Sequence, residues 1–183
     1  MVTAVRPTQG GFLRPFGCGW FIREFLLGRG PEGSPVIDPD KGATQADINF
    51  QYKSALVRAI ARDHSERIIS DMVKRGIDVS LEMADRIYEG ELKKIPHKYT
   101  RMRYHSFLVY FGILKRLGWV EPTGVTEEST AQQIDEKTGE VRNPEGKLRT
   151  YYRLTGSGRD ALDTEWSNPL FTLYPEIAEK YRS

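Results

Sequence analysis

Phe107-Leu108-Val109-Tyr110-Phe111-Gly112-Ile113-Leu114-Lys115-Arg116-Leu117-Gly118-Trp119-Val120 is the stretch that decides the architecture. From Phe107 to Leu114 it is apolar on nearly every side, so a helix here sits in a core rather than on a surface. Lys115 and Arg116 fall in the last turn, where cations meet the negative end of the helix dipole. Gly118 then supplies the residue that closes a helix. Trp119-Val120-Glu121-Pro122 continues as a short extended segment. Upstream, the same helix is expected to begin near Tyr99 or Thr100, with a polar and cationic first half, Thr100 to Ser106.

Working toward the carboxyl end, Lys147-Leu148-Arg149-Thr150-Tyr151-Tyr152-Arg153-Leu154 alternates and is rich in aromatic and branched residues, the pattern of a strand. It pairs with the segment at Trp119 to make a hairpin. Period two puts Leu148, Thr150, Tyr152 and Leu154 on one face and Arg149, Tyr151 and Arg153 on the other. The loop between the strands is long and holds two turn-like runs, Lys137-Thr138-Gly139-Glu140 and Asn143-Pro144-Glu145-Gly146. Thr155 is the expected cap of a further helix with Ala161, Leu162 and Trp166 on its apolar side. Pro175 suits the start of a last one.

Toward the amino end, Ser80 caps a helix expected over about 81 to 94, with Leu81, Ala84, Ile87, Tyr88 and Leu92 at helical spacing. Thr44 and Asp47 form an acidic variant of a capping box. Residues 45 to 75 read as helix, with Asp63-His64 as a candidate break. Gly30-Pro31-Glu32-Gly33-Ser34-Pro35 through Gly42 has the composition of a linker. Before it, Trp20 to Leu27 reads as a short aromatic helix. The expected organisation is an aromatic arm and Pro/Gly-rich linker (1–43), a central domain (44–166) and a carboxy-terminal extension (167–183). The fold class is α+β, mostly helical.

Three helices, a short strand, a hairpin strand and a helix, in that order, resemble a winged helix-turn-helix domain. Phe107 to Val120 resembles the end of a recognition helix running into the first wing strand. Tyr151-Tyr152-Arg153-Leu154-Thr155-Gly156-Ser157-Gly158-Arg159-Asp160-Ala161-Leu162 is similar to the segment that closes the wing in MarR-like and PadR-like regulators. The resemblance covers about two thirds of the chain and implies a long-looped hairpin wing with extra terminal helices. It also implies double-stranded DNA binding and a role in transcriptional regulation. The loop between the wing strands is longer than the superfamily's usual one, and the first 43 residues have no counterpart in it.

Charge carries the physical side of that expectation. From Leu92 to Val120 there are seven basic residues, Lys93, Lys94, Lys98, Arg101, Arg103, Lys115 and Arg116, and no acidic one. Arg101, Arg103, His105 and Ser106 are expected nearest the bases, where arginine can reach guanine O6 and N7 in the major groove. Lys93, Lys94, Lys98, Arg149 and Arg153 are expected at phosphates, releasing counterions without reading sequence. The wing loop opposes this: Glu121, Glu127, Glu128, Asp135, Glu136 and Glu140 stand against Lys137 alone. Its tip is therefore expected to point away from DNA or to meet a basic protein surface. That acidic loop, the aromatic arm and a net charge of only +2 equally fit a protein-protein interaction subunit of a larger assembly. A homodimer on a palindromic site is the expected form if the chain pairs with itself.

Composition excludes other classes. With 39% hydrophobic and 28% charged residues the 183-residue chain belongs with folded globular proteins. Cys18 alone forms no internal disulfide, and no cation or base near it marks a nucleophile. His64, His97 and His105 lack metal-ligand spacing, and no Walker loop, dinucleotide fingerprint or nucleophile elbow is present. No catalytic residue, metal or cofactor is expected. Trp20 to Leu27, with Arg23 and Glu24 at its centre, is no membrane span and no signal peptide, so the cytoplasm is the expected location.

Overall fold

Thr44 sets the start of the longest element: its hydroxyl oxygen accepts the Asp47 N–H at 3.1 Å and donates to the Asp47 carboxylate at 2.6 Å. The computed structural model describes residues 17–95, 104–129, 133–134, 141–142 and 148–180. In chain order these form α1 (Cys18–Leu26), β1 (Ala43–Thr44), α2 (Gln45–Lys74), α3 (Leu81–Lys94), α4 (Tyr104–Arg116), β2 (Val120–Glu128), β3 (Gln133–Ile134), β4 (Val141–Arg142) and β5 (Leu148–Leu154). The short helices α5 (Gly156–Asp160), α6 (Asp163–Ser167), α7 (Pro169–Leu173) and α8 (Pro175–Lys180) follow. The fold is α+β and mostly helical, with a small antiparallel sheet.

α2 runs without interruption through Asp63-His64, where the sequence offered a break. Arg67 pairs with Asp63 at 2.7 Å one turn away, and Ser65 returns its hydroxyl to the Ala61 carbonyl at 2.7 Å. Polar side chains there are thus satisfied along the helix. Ser80 caps α3 through the Met83 N–H at 3.2 Å, and α3 spans the expected residues. α3 packs back along α2 and makes no comparable contact with α4. Beyond Ala61 this helical hairpin leaves the core, and Ile68, Val73, Ile77, Leu81 and Met83 stay exposed.

The core lies at the other end of α2. Phe21, Ile22, Phe25 and Leu26 of α1, Ile48 and Tyr52 of α2, and Phe107, Tyr110, Phe111 and Leu114 of α4 are buried together with Trp119, Val120, Leu154 and Trp166. Each buried Phe, Ile or Leu contributes about 1.5–3 kcal/mol relative to exposure. α1, from the segment grouped as an arm and linker, packs into this core, and Ala43 at the end of that segment joins Thr44 in β1 of the sheet. Phe21 faces Phe25 at 5.5 Å and Tyr52 at 5.4 Å between ring centroids.

α4 ends as expected. Gly118 adopts φ +69, which lets the Trp119 N–H reach the Leu114 carbonyl at 3.0 Å. The sheet has strand order β1-β5-β2, with β5 central. β2 continues to Glu128, past the expected end at Pro122. As an edge strand it tolerates a proline that cannot donate, and a register shift between Pro122 and Thr126, with Gly124 at φ +82, carries the extra residues. Within the long loop β3 pairs with β4, Ile134 opposite Val141.

The helix expected after Thr155 is shorter than its apolar pattern implies. Thr155 caps it through the Gly158 N–H at 3.1 Å, but Ala161 turns extended (φ -60, ψ 138) and ends α5. Two glycines in five residues leave little helical propensity to carry it further. α6 then brings Trp166 into the core, its Nε1 donating to the Gly158 carbonyl at 2.9 Å, while Leu162 remains outside. Among the described residues no helix is long and apolar enough to cross a membrane.

Candidate nucleic-acid interface

The geometry starts with α4, which is held by its buried face. Phe107, Tyr110, Phe111, Ile113 and Leu114 point into the core, and Ser106, Val109, Lys115 and Arg116 are exposed. Val109 is 52% exposed on this helix, an uncharged position in the middle of the outer face. Lys98, Arg101 and Arg103 lie outside the described residues. For His105 only the backbone, in the first turn of α4, is described.

The β2–β5 hairpin is fastened to α4 by aromatic and cationic contacts. Phe111 meets the Tyr152 ring edge-on at 5.2 Å between centroids, and the Lys115 ammonium sits 4.9 Å from that ring's centroid. Lys115 Nζ also lies 3.3 Å from the Tyr152 hydroxyl, to which it donates. Arg116 donates to the Tyr174 hydroxyl at 2.9 Å, tying α4 to the turn between α7 and α8. The two cations in the last turn of α4 therefore tie the helix to its neighbours.

On β5 the alternation puts Leu154 in the core and Tyr152 against Phe111, as expected, with Arg149, Tyr151 and Arg153 on the opposite face. That face meets carboxylates across the strands. Arg153 Nε lies 2.9 Å from Glu121 Oε1 and Arg149 Nη1 lies 3.9 Å from Glu127 Oε1, each pair directly opposite in register. Tyr151 donates its hydroxyl to Glu127 at 2.7 Å, and this bond raises the phenol pKa above its ordinary value. Lys41, which the sequence did not single out, stands 5.4 Å from the Tyr151 ring centroid.

Lys93 and Lys94 lie exposed in the last turn of α3, where the helix dipole favours them whatever they bind. Lys94 Nζ pairs with Glu91 Oε1 at 2.6 Å, and His64 Nδ1 lies 3.6 Å from the other Glu91 oxygen. The hydrogen bond from Lys94 holds the buried Glu91 carboxyl below its ordinary pKa, against the desolvation that would raise it; the charges of Lys94 and His64 act the same way. Lys93 makes no ion pair among the described residues. The sequence did not single out Glu91: Lys94 is three residues on in the same helix, but His64 reaches it from α2.

Among the described residues no group of His, Cys, Asp and Glu could hold a metal ion. Cys18 is buried, and that burial pushes its thiol well above the ordinary range. Comparison with known proteins finds no matching family model, no matching curated protein and no matching solved structure.

Proposed function

We propose that this chain is a winged-helix DNA-binding protein, acting as a transcriptional regulator, whose contact with duplex DNA centres on the start of α4 and the basic segment before it. The observation that carries the reading is the division of labour in α4. Its second half is anchored in the core on one side, and the hairpin β2–β5 is locked to it through Phe111, Lys115 and Tyr152. A recognition helix needs that anchoring, because side chains can be aimed into a groove only from a rigid support. The sequence supplies the charge: from Lys93 to Arg103 there are five cations and no carboxylate. In this reading α2 and α4 form the helix pair, and the α2–α3 hairpin projects from it as an extension.

Arg101, Arg103, His105 and Ser106 are assigned to base edges and Lys93, Lys94 and Lys98 to phosphates. Arg153 is paired with Glu121 at 2.9 Å and Arg149 lies 3.9 Å from Glu127, so both would meet phosphate beside a carboxylate. Selection from a random duplex pool tests the assignment. Arg103→Ala is expected to alter the selected sequence, and Lys94→Ala to weaken all sequences together. Unchanged selection and affinity in both variants would remove the assignment.

One observation favours a second reading, a winged-helix subunit that binds another protein. The distal α2–α3 hairpin exposes Ile68, Val73, Ile77, Leu81 and Met83, apolar area of the kind that protein interfaces cover. A co-purifying partner that protects Ile77 and Leu81 from solvent exchange, with no affinity for duplex DNA, would establish it.

A further inference from the structure

A cleft of about 580 Å³ opens between α1 and the α5–α6 turn, on a different set of elements from α4 and the wing. Arg23, Arg29 and Arg159 bring three guanidinium groups to it, and Leu27, Ala161 and Leu162 supply an apolar wall. The volume lies within the roughly 300–1,000 Å³ range of small-molecule sites, and the cleft is open to solvent, with charged side chains outnumbering apolar ones in its lining.

Its charges are incompletely matched. Glu24 is shared by Arg23 and Arg29, with Arg23 Nε and Arg29 Nε each 3.1 Å from its carboxylate. Arg23 Nη1 takes a second carboxylate, Asp163 Oδ1, at 2.6 Å. Arg159 has no side-chain partner among the described residues. Three cations thus face two carboxylates.

The Arg23–Asp163 pair is uneven. The Arg23 side chain is 13% exposed and that of Asp163 is 88% exposed. A guanidinium withdrawn from water gains strongly from a bidentate or charge-assisted partner. A carboxylate that is already hydrated loses little by returning to water. Asp163 therefore occupies its place on Arg23 as a replaceable anion. Leu162, 66% exposed at the rim, is an apolar side chain that a bound molecule would cover.

We propose that this cleft binds a small organic monocarboxylate with a short apolar body. Its carboxylate takes the place of Asp163 on Arg23 and is drawn by Arg159, and its hydrocarbon lies against Leu27 and Leu162. The inference does not depend on the DNA-binding reading.

Calorimetric titration of the full chain with hexanoate at low salt tests it, with hexanol and inorganic phosphate as comparison probes and Trp fluorescence as a check on folding. Hexanoate is expected to bind saturably, hexanol not at all, and phosphate at least about tenfold more weakly than hexanoate. Asp163→Asn removes the internal competitor and is expected to tighten hexanoate about tenfold. Arg159→Gln is expected to weaken it by a similar factor, the scale of one charge-assisted contact. Both residues are exposed, so both variants are expected to fold. No saturable binding by either wild type or Asp163→Asn would overturn the proposal. So would phosphate binding as tightly as hexanoate, or an affinity unmoved by both substitutions.

Discussion

Arg153 stands directly across the β2–β5 hairpin from Glu121, its Nε 2.9 Å from the carboxylate, on a strand face that sequence alone makes cationic. An arginine so paired meets phosphate only in competition with its glutamate. In the proposed DNA-binding reading these carboxylates weaken any contact that the β2–β5 hairpin makes with phosphate.

Glu121→Gln combined with Glu127→Gln is expected to raise affinity for duplex DNA and to steepen the dependence of log affinity on log salt by about one for each arginine that gains a phosphate. Titrations at several salt concentrations read the slope. An unchanged slope would confine the contact to α4 and the segment before it.

Trp166 joins the carboxy-terminal helices to the core, with its ring 4.7 Å from that of Trp119 between centroids and its indole N–H on the Gly158 carbonyl. Trp166→Ala is expected to cost about 3–5 kcal/mol. Trp166→Phe keeps an aromatic ring but loses the hydrogen bond, and should cost less. Equilibrium urea unfolding measures both. A loss below about 1 kcal/mol for the alanine variant would show that α5 and α6 are not integral to the core.

Those helices also show where sequence reading reached its limit. Caps were legible because they are local: Thr44 with Asp47, Ser80 and Thr155 each accept the expected backbone N–H. The end of α4 at Gly118 was legible for the same reason. What depends on distant partners was not. β1 is two residues long, and its place beside Tyr151 and Tyr152 follows from tertiary pairing, not from any pattern within it. The aromatic spacing of α1 marks a packed helix without saying what it packs on. The cross-strand glutamates became visible only with the register of β2, which Gly124 and the edge position of Pro122 set. Of the assigned interface, Lys93, Lys94, Ser106, Arg149 and Arg153 fall among residues whose side chains are described, and two of these cations, Arg153 and Lys94, have carboxylate partners within 3 Å.

Acid should loosen the α2–α3 hairpin at its base. Glu91 is held below its ordinary pKa, chiefly by the hydrogen bond from Lys94. A carboxylate depressed in the folded state contributes stability that is present above its unfolded value and lost as pH falls through the folded one. The stability difference between wild type and Glu91→Gln is therefore expected to be fully present above the unfolded carboxylate range. It should close as pH drops below about 4, the unfolded carboxylate range. Unfolding curves of both proteins across that range provide the comparison. A difference that does not change with pH would show that the Lys94 and His64 contacts do not govern Glu91 in solution.

Binding of labelled duplex DNA, random and genomic, by wild type and by Arg101→Ala/Arg103→Ala at several salt concentrations tests the central claim most directly. Binding that weakens steeply with salt is expected, with a double variant that binds more weakly and loses its preference between sequences. Absence of binding even at low salt, or a double variant indistinguishable from wild type, would contradict it.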